Sequence, residues 1–109
     1  MLELSDFQIA VLERLRAHGF TFIAFPLYAS RIGVRKGNCA ALLDPVTGGG
    51  LRVFGEPSYL LNGNLSVVIG EGDARVFVWK KDRLPATEER LEELRRFASE
   101  LSDLLAPRA

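Results

Sequence analysis

Chemistry in this chain would start at Cys39, its only cysteine, which follows Arg35 and Lys36 in the stretch GVRKGNCAALLDP at residues 33–45. A nucleophilic thiol needs a depressed pKa, from a base, a basic neighbour or a helix N-terminus, and it needs exposure to substrate. Two cations are close in sequence, and His18 is the only imidazole available as a base. The residues that follow argue the other way. Cys39-Ala40-Ala41-Leu42-Leu43 is a small apolar run, the setting in which cysteine behaves as a minor hydrophobe. A structural cysteine is therefore expected, with a thiol enzyme using Cys39 as the lesser alternative, and no catalytic residue is assigned. One histidine and one cysteine cannot fill the usual four N or S positions of a structural zinc site, so neither a metal nor a cofactor is expected. His18 has a simpler role, interacting with the carbonyls that end a helix.

A second constellation is the basic segment at residues 31–52, where Arg31, Arg35, Lys36 and Arg52 stand against Asp44 alone and flank the triple glycine at 48–50. Glycine-loop amides beside arginines could hold a small anion. The loop lacks the Lys-Ser/Thr ending of a P-loop and the G-x-G-x-x-G of a dinucleotide fold, so a flexible connection between strands explains it better. A third constellation places Arg75, Phe77, Trp79 and Lys81 on one strand face, as in single-strand nucleic-acid platforms. With 14 basic and 14 acidic side chains the formal charge is zero, and no field favours nucleic acid or an anionic membrane. The pairs Glu88/Glu89 and Glu92/Glu93 belong to a helix surface, with Glu92 placed to pair with Arg96 one turn on.

These residues have to be positioned by elements that the spacing makes legible. Ser5 and Gln8 form a capping box and Leu4 precedes it as a hydrophobic staple toward Ile9, so a helix is expected over residues 6–18, with Phe7, Val11 and Leu15 in its apolar stripe and Gly19 beyond its end. Pro85 and Thr87 open a second helix, whose Leu91, Leu94, Ala98, Leu101 and Leu105 recur at 3-4 spacing with Phe97 and Leu104 beside them. Between the helices, strands are expected at 20–28, 31–35, 39–44, 51–54, 65–70 and 74–80, the last two joined at Glu71-Gly72-Asp73. Residues 56–64 read as a short helical turn ending at Gly63, with a hairpin closed by Asn62-Gly63 as the alternative.

The expected fold is a single α+β domain over residues 1–109: an N-terminal helix, an antiparallel sheet of about five to six strands with a short inserted helix, and a C-terminal amphipathic helix. This order of elements resembles the small interaction modules of the secretion-chaperone, profilin and roadblock kinds. The resemblance implies a fold and, resting on no sequence motif, carries no function.

Strand 74–80 is apolar on both sides, Phe77 and Trp79 opposing Val76 and Val78, and so is strand 20–28. An antiparallel sheet usually keeps one face wet, so a second apolar face calls for a cover. The reading that follows is a non-enzymatic protein-interaction module, adaptor-like or chaperone-like, acting as a homodimer through Phe77, Trp79, Phe97 and Leu101. A protein partner is conceivable, and neither nucleic acid nor membrane is expected. The alternative is a small anionic-ligand domain using Arg31, Arg35, Lys36 and Arg52. The start MLELSDF carries no signal-peptide pattern, and a lone cysteine suits a reducing cytoplasm.

Overall fold

Helix α1, Asp6–Ala17, begins at the capping box: the Ser5 hydroxyl accepts from the Gln8 backbone N–H at 3.1 Å, and Gln8 Oε1 accepts from the Ser5 N–H at 2.9 Å. The computed structural model describes residues 3–106. The expected single domain over 1–109 thus extends into residues 1–2 and 107–109, which lie outside the described residues. Val11 and Leu15 are buried, whereas Phe7 and Ile9 face outward. The inward position of the first turn belongs to Gln8, whose amide ties down the glycine loop, and this rotates its apolar neighbours to the surface. Gly19 ends the helix with φ +90°, a conformation that costs glycine little.

The chain then builds a five-stranded antiparallel sheet in sequence order: β1 Thr21–Ile23, β2 Ile32–Lys36, β3 Cys39–Pro45, β4 Leu51–Leu61 and β5 Asn64–Leu65. A three-stranded antiparallel sheet follows, β6 Val67–Glu71, β7 Ala74–Trp79 and β8 Asp82–Pro85, and helix α2, Glu88–Leu105, closes the fold. The architecture is α+β, with a helix at each end of the strand region. Two expectations about the strands need correction. Residues 20–28 are not one strand, because Pro26 opens a 3-10 turn at Pro26–Tyr28 after the short β1. Residues 56–64 hold no helical turn; β4 runs on through them. A bulge absorbs Gly55, Glu56 and Pro57 opposite Ala41, so the proline sits where the ladder needs no N–H. Asn62 and Gly63 then close a hairpin with φ 51° and 79°, as a type I′ turn requires. Lys80 at φ 53° turns the chain a last time into β8, a strand for which the sequence offered no glycine signal.

The main core lies between one face of the five-stranded sheet and both helices. Val34, Cys39, Ala41 and Leu43 meet Val11 and Leu15 of α1 and Leu91, Phe97, Leu101 and Leu104 of α2. Phe20 packs on Phe97 at a centroid distance of 5.6 Å, and Phe77 of β7 stacks on Tyr59 of β4 at 4.7 Å and 11°, joining the second sheet to this core. A smaller core of Phe25, Ala40, Leu42 and Leu60 covers the opposite face of the five-stranded sheet. That face was expected to need a cover, and the segment after β1 supplies it. Gly33 makes this possible: a Cβ there would come within 2.3 Å of the Ile23 carbonyl oxygen and 2.9 Å of the Phe25 ring. Gly33→Ala should destabilise the fold by about 3 kcal/mol, the upper range for overpacking, as read from the urea midpoint. A variant as stable as the parent would mean that Phe25 does not sit over β2.

Candidate functional site

Cys39 lies at the start of β3 with 0% exposure, against the helix face of the sheet. Burial, and then the nearby Glu93 carboxylate, push its thiol up to about 12. Glu93 is held there by Asn38, whose backbone N–H and side-chain amide donate to its two oxygens at 3.1 and 3.3 Å. The adjacent cations do not activate the sulfur: Arg35 points to the opposite face of the sheet, and Lys36, which shares the face of Cys39, gives its ammonium to the His18 carbonyl and to Glu100, while the Glu93 carboxylate stays close to the thiol. Iodoacetamide should leave Cys39 unmodified in the folded protein and alkylate it quickly in urea. Rapid labelling without denaturant would restore the thiol as a candidate nucleophile. The His18 ring is turned to its own helix, its Nδ1 lying 2.9 Å from the Arg14 carbonyl oxygen at the end of α1. Among the described residues, no group of three or more His, Cys, Asp and Glu side chains could hold a metal ion.

The basic residues do not converge. Lys36 faces the helices, where its Nζ donates to the His18 carbonyl at 2.8 Å and to Glu100 at 2.7 Å. Arg31, Arg35 and Arg52 stand on the other face of the sheet, alternation along β2 separating Arg35 from Lys36. Arg31 is already engaged. Its guanidinium carbon lies 3.6 Å from the centroid of the Phe54 ring, and its Nε is 3.1 Å from Asp44 Oδ1, an ionic contact too poorly aligned to count as a hydrogen bond. Arg35 is exposed and donates to the Gly37 carbonyl at 3.0 Å. The glycine loop has the wrong polarity for an anion. The carbonyls of Val46, Gly49 and Gly50 point at Gln8 Nε2, 3.1 to 3.2 Å away, while the Gly49 and Val46 N–H groups bond within the loop.

Three of the residues expected at an interface are interior. Phe77 and Leu101 are 0% exposed and Phe97 is 5% exposed, because α2 lays its apolar stripe on the first sheet and β7 turns Phe77 into the same core. Trp79 is half-buried beside Lys80, whose Nζ is 5.3 Å from the indole ring. With Phe77 at its centre buried, the row Arg75, Phe77, Trp79, Lys81 offers no continuous stacking face.

The surface that the fold leaves open is the three-stranded sheet. Register pairs Val67 with Val78 and Ile69 with Val76, so these four aliphatic side chains share the face turned away from Phe77. Arg83 of β8 reaches diagonally over this face to Glu71 of β6 at 2.7 Å, an exposed ion pair on an apolar floor. Strand β6 is also an edge. All five of its residues are exposed, with Val67 at 62%, Val68 at 40% and Ile69 at 38%. The free edge of β4 carries Glu56, Pro57 and a bulge, the usual devices that discourage further pairing, and β1 is short. β6 carries none of these between Val67 and Gly70. It forms one wall of a cleft of about 370 Å³ whose other wall is Glu56, Pro57 and Ser58. Sequence reasoning placed the hairpin and missed its edge. The available signal was the run VVIG, apolar at every position of a strand that a two-residue turn connects to only one neighbour.

No protein-family model, no curated protein and no solved structure matches this chain. No helix among the described residues is long and apolar enough to cross a membrane.

Proposed function

We propose that this protein is a non-enzymatic protein-interaction module that works as a homodimer and binds through its three-stranded sheet. The observation that carries the reading is β6, an apolar edge strand with every residue exposed. An exposed, apolar, unprotected edge is a template for pairing with another chain. A buried Cys39 with a raised pKa, and basic residues spread over two faces with Lys36 and Arg31 tied to intrachain carboxylates, support binding over catalysis or anion capture. A cytoplasmic setting is part of the reading, since the one thiol in the chain is free and buried. Light scattering over a wide range of concentration tests it. The apparent mass should rise from that of the 12.1 kDa chain toward twice that value. A constant monomer mass would overturn the homodimer.

A further inference from the structure

The homodimer reading leaves open how two copies meet, and the backbone of β6 restricts the answer. A two-residue turn, Gly72-Asp73, closes on the pair Glu71–Ala74, and such a turn closes on a hydrogen-bonded pair. Bonded and non-bonded pairs then alternate along the ladder, so Ile69–Val76 and Val67–Val78 are bonded pairs. Val68 and Gly70 consequently turn their N–H and C=O groups away from β7, toward the open edge. Two contacts agree with this phase. Arg75, opposite Gly70, accepts from the Ala86 N–H at 2.9 Å on the β8 side, and Ser66 donates its N–H away from β7 to the Tyr59 carbonyl at 3.3 Å.

From this, and resting on the homodimer reading, we infer that β6 pairs antiparallel with β6 of a second copy, about a two-fold axis that passes between Ile69 and the partner's Ile69. In this register Val68 faces the partner's Gly70, and Gly70 faces the partner's Val68. Each of these pairs exchanges two hydrogen bonds, so every outward N–H and C=O of Val68 and Gly70 is satisfied. Centring the axis on Val68 would set Gly70 against the partner's Ser66, whose N–H is already given to Tyr59, and half of the bonding would be lost. Centring on Gly70 would set Val68 against the turn residue Gly72 of the partner.

Charge points to a second copy as the occupant. The one charged residue of the paired stretch Val67–Glu71 is Glu71, which faces the partner's Val67, so the pairing opposes no two like charges. The two Glu71 side chains fall at opposite ends of the pairing, roughly 13 Å apart along the strands, and each keeps its own Arg83. The two sheets merge into one six-stranded sheet whose outer face carries the Val67, Ile69, Val76 and Val78 groups of both copies side by side. The contact is short of the ~800 Å² per partner of a standard interface, and the partner's Glu71 comes toward the rim where Glu56 stands. The dimer is therefore weak and sensitive to dilution.

Cysteine cross-linking of the full chain tests the register. Opposed residues at a non-bonded antiparallel pair have Cα atoms about 4.5 Å apart, within disulfide reach, and only the residue on the two-fold faces itself. Ile69→Cys should form a covalent dimer under mild oxidation at least tenfold faster than Val67→Cys, although Val67 is the more exposed of the two. The parent chain, with Cys39 buried, should stay uncrosslinked. Hydrogen exchange gives a readout without substitutions: the Val68 and Gly70 amides should slow as concentration rises, while the Ile69 amide is slow throughout. If the parent dimerises but Val67→Cys links as fast as Ile69→Cys, the register is overturned and the homodimer stands. If the parent stays monomeric and these amides exchange fast at every concentration, both fail, and the edge serves a different occupant.

Discussion

Phe77→Ala should cost about 3–5 kcal/mol, the range for removing a fully buried aromatic, out of a total stability of about 5–15 kcal/mol. The ring is 0% exposed and lies 4.7 Å from Tyr59 in a near-parallel stack. It is also the side chain through which the three-stranded sheet grips the main core. Its loss opens a cavity between the two sheets and frees the β6–β8 hairpins from β4. Urea unfolding should show a lower midpoint, and an aspartate at the same position should leave no folded protein at all. A soluble, folded monomer from Phe77→Asp, the outcome expected of an interface residue, would mean that the ring is not interior. Trp79→Ala, at a half-buried site on the same face, should cost clearly less than Phe77→Ala.

Ile69→Lys should have the opposite profile, leaving the fold intact and abolishing self-association. The side chain is 38% exposed on an edge strand, where lysine is a common natural guard against pairing, so the stability change should stay within about 1 kcal/mol. Across the two-fold the substitution puts ammonium groups face to face in place of two isoleucines. Like charges so placed cost about 3 kcal/mol, more than a hundredfold in dimerisation. Because residue 69 meets itself, mixing Ile69→Lys chains with Ile69→Glu chains should recover a dimer containing one of each. Failure of the mixture to associate, with both variants folded, would place the contact elsewhere.

The two helices were legible because their signals are local. Ser5 and Gln8 cap one another across three residues, and Thr87 with the leucines after it marks α2 just as plainly. The strands from β2 onward were legible in part, through glycine turns and apolar runs. What the sequence hid depends on contacts between distant segments. Gln8 is polar and reads as surface, yet it is buried because three carbonyls from the glycine loop converge on it. Pro57 reads as a strand breaker, yet β4 passes through it because a bulge opposite Ala41 removes the need for its N–H. Phe77, Phe97 and Leu101, read as interface residues, lie in the interior for a similar reason. Large aromatics such as Phe77 and Phe97 mark cores and interfaces alike, and composition cannot tell them apart. The exposed surface is instead made of valine and isoleucine, which are unremarkable until the register shows that nothing covers them.

The measurement that bears most directly on the central claim is the solution mass of the parent chain and of Ile69→Lys, side by side, from dilute to concentrated protein. The parent should pass from monomer to dimer as concentration rises, and the variant, with unchanged circular dichroism, should remain at 12.1 kDa but for its altered side chain. A parent that stays monomeric throughout, or a variant that dimerises as well as the parent, would contradict it.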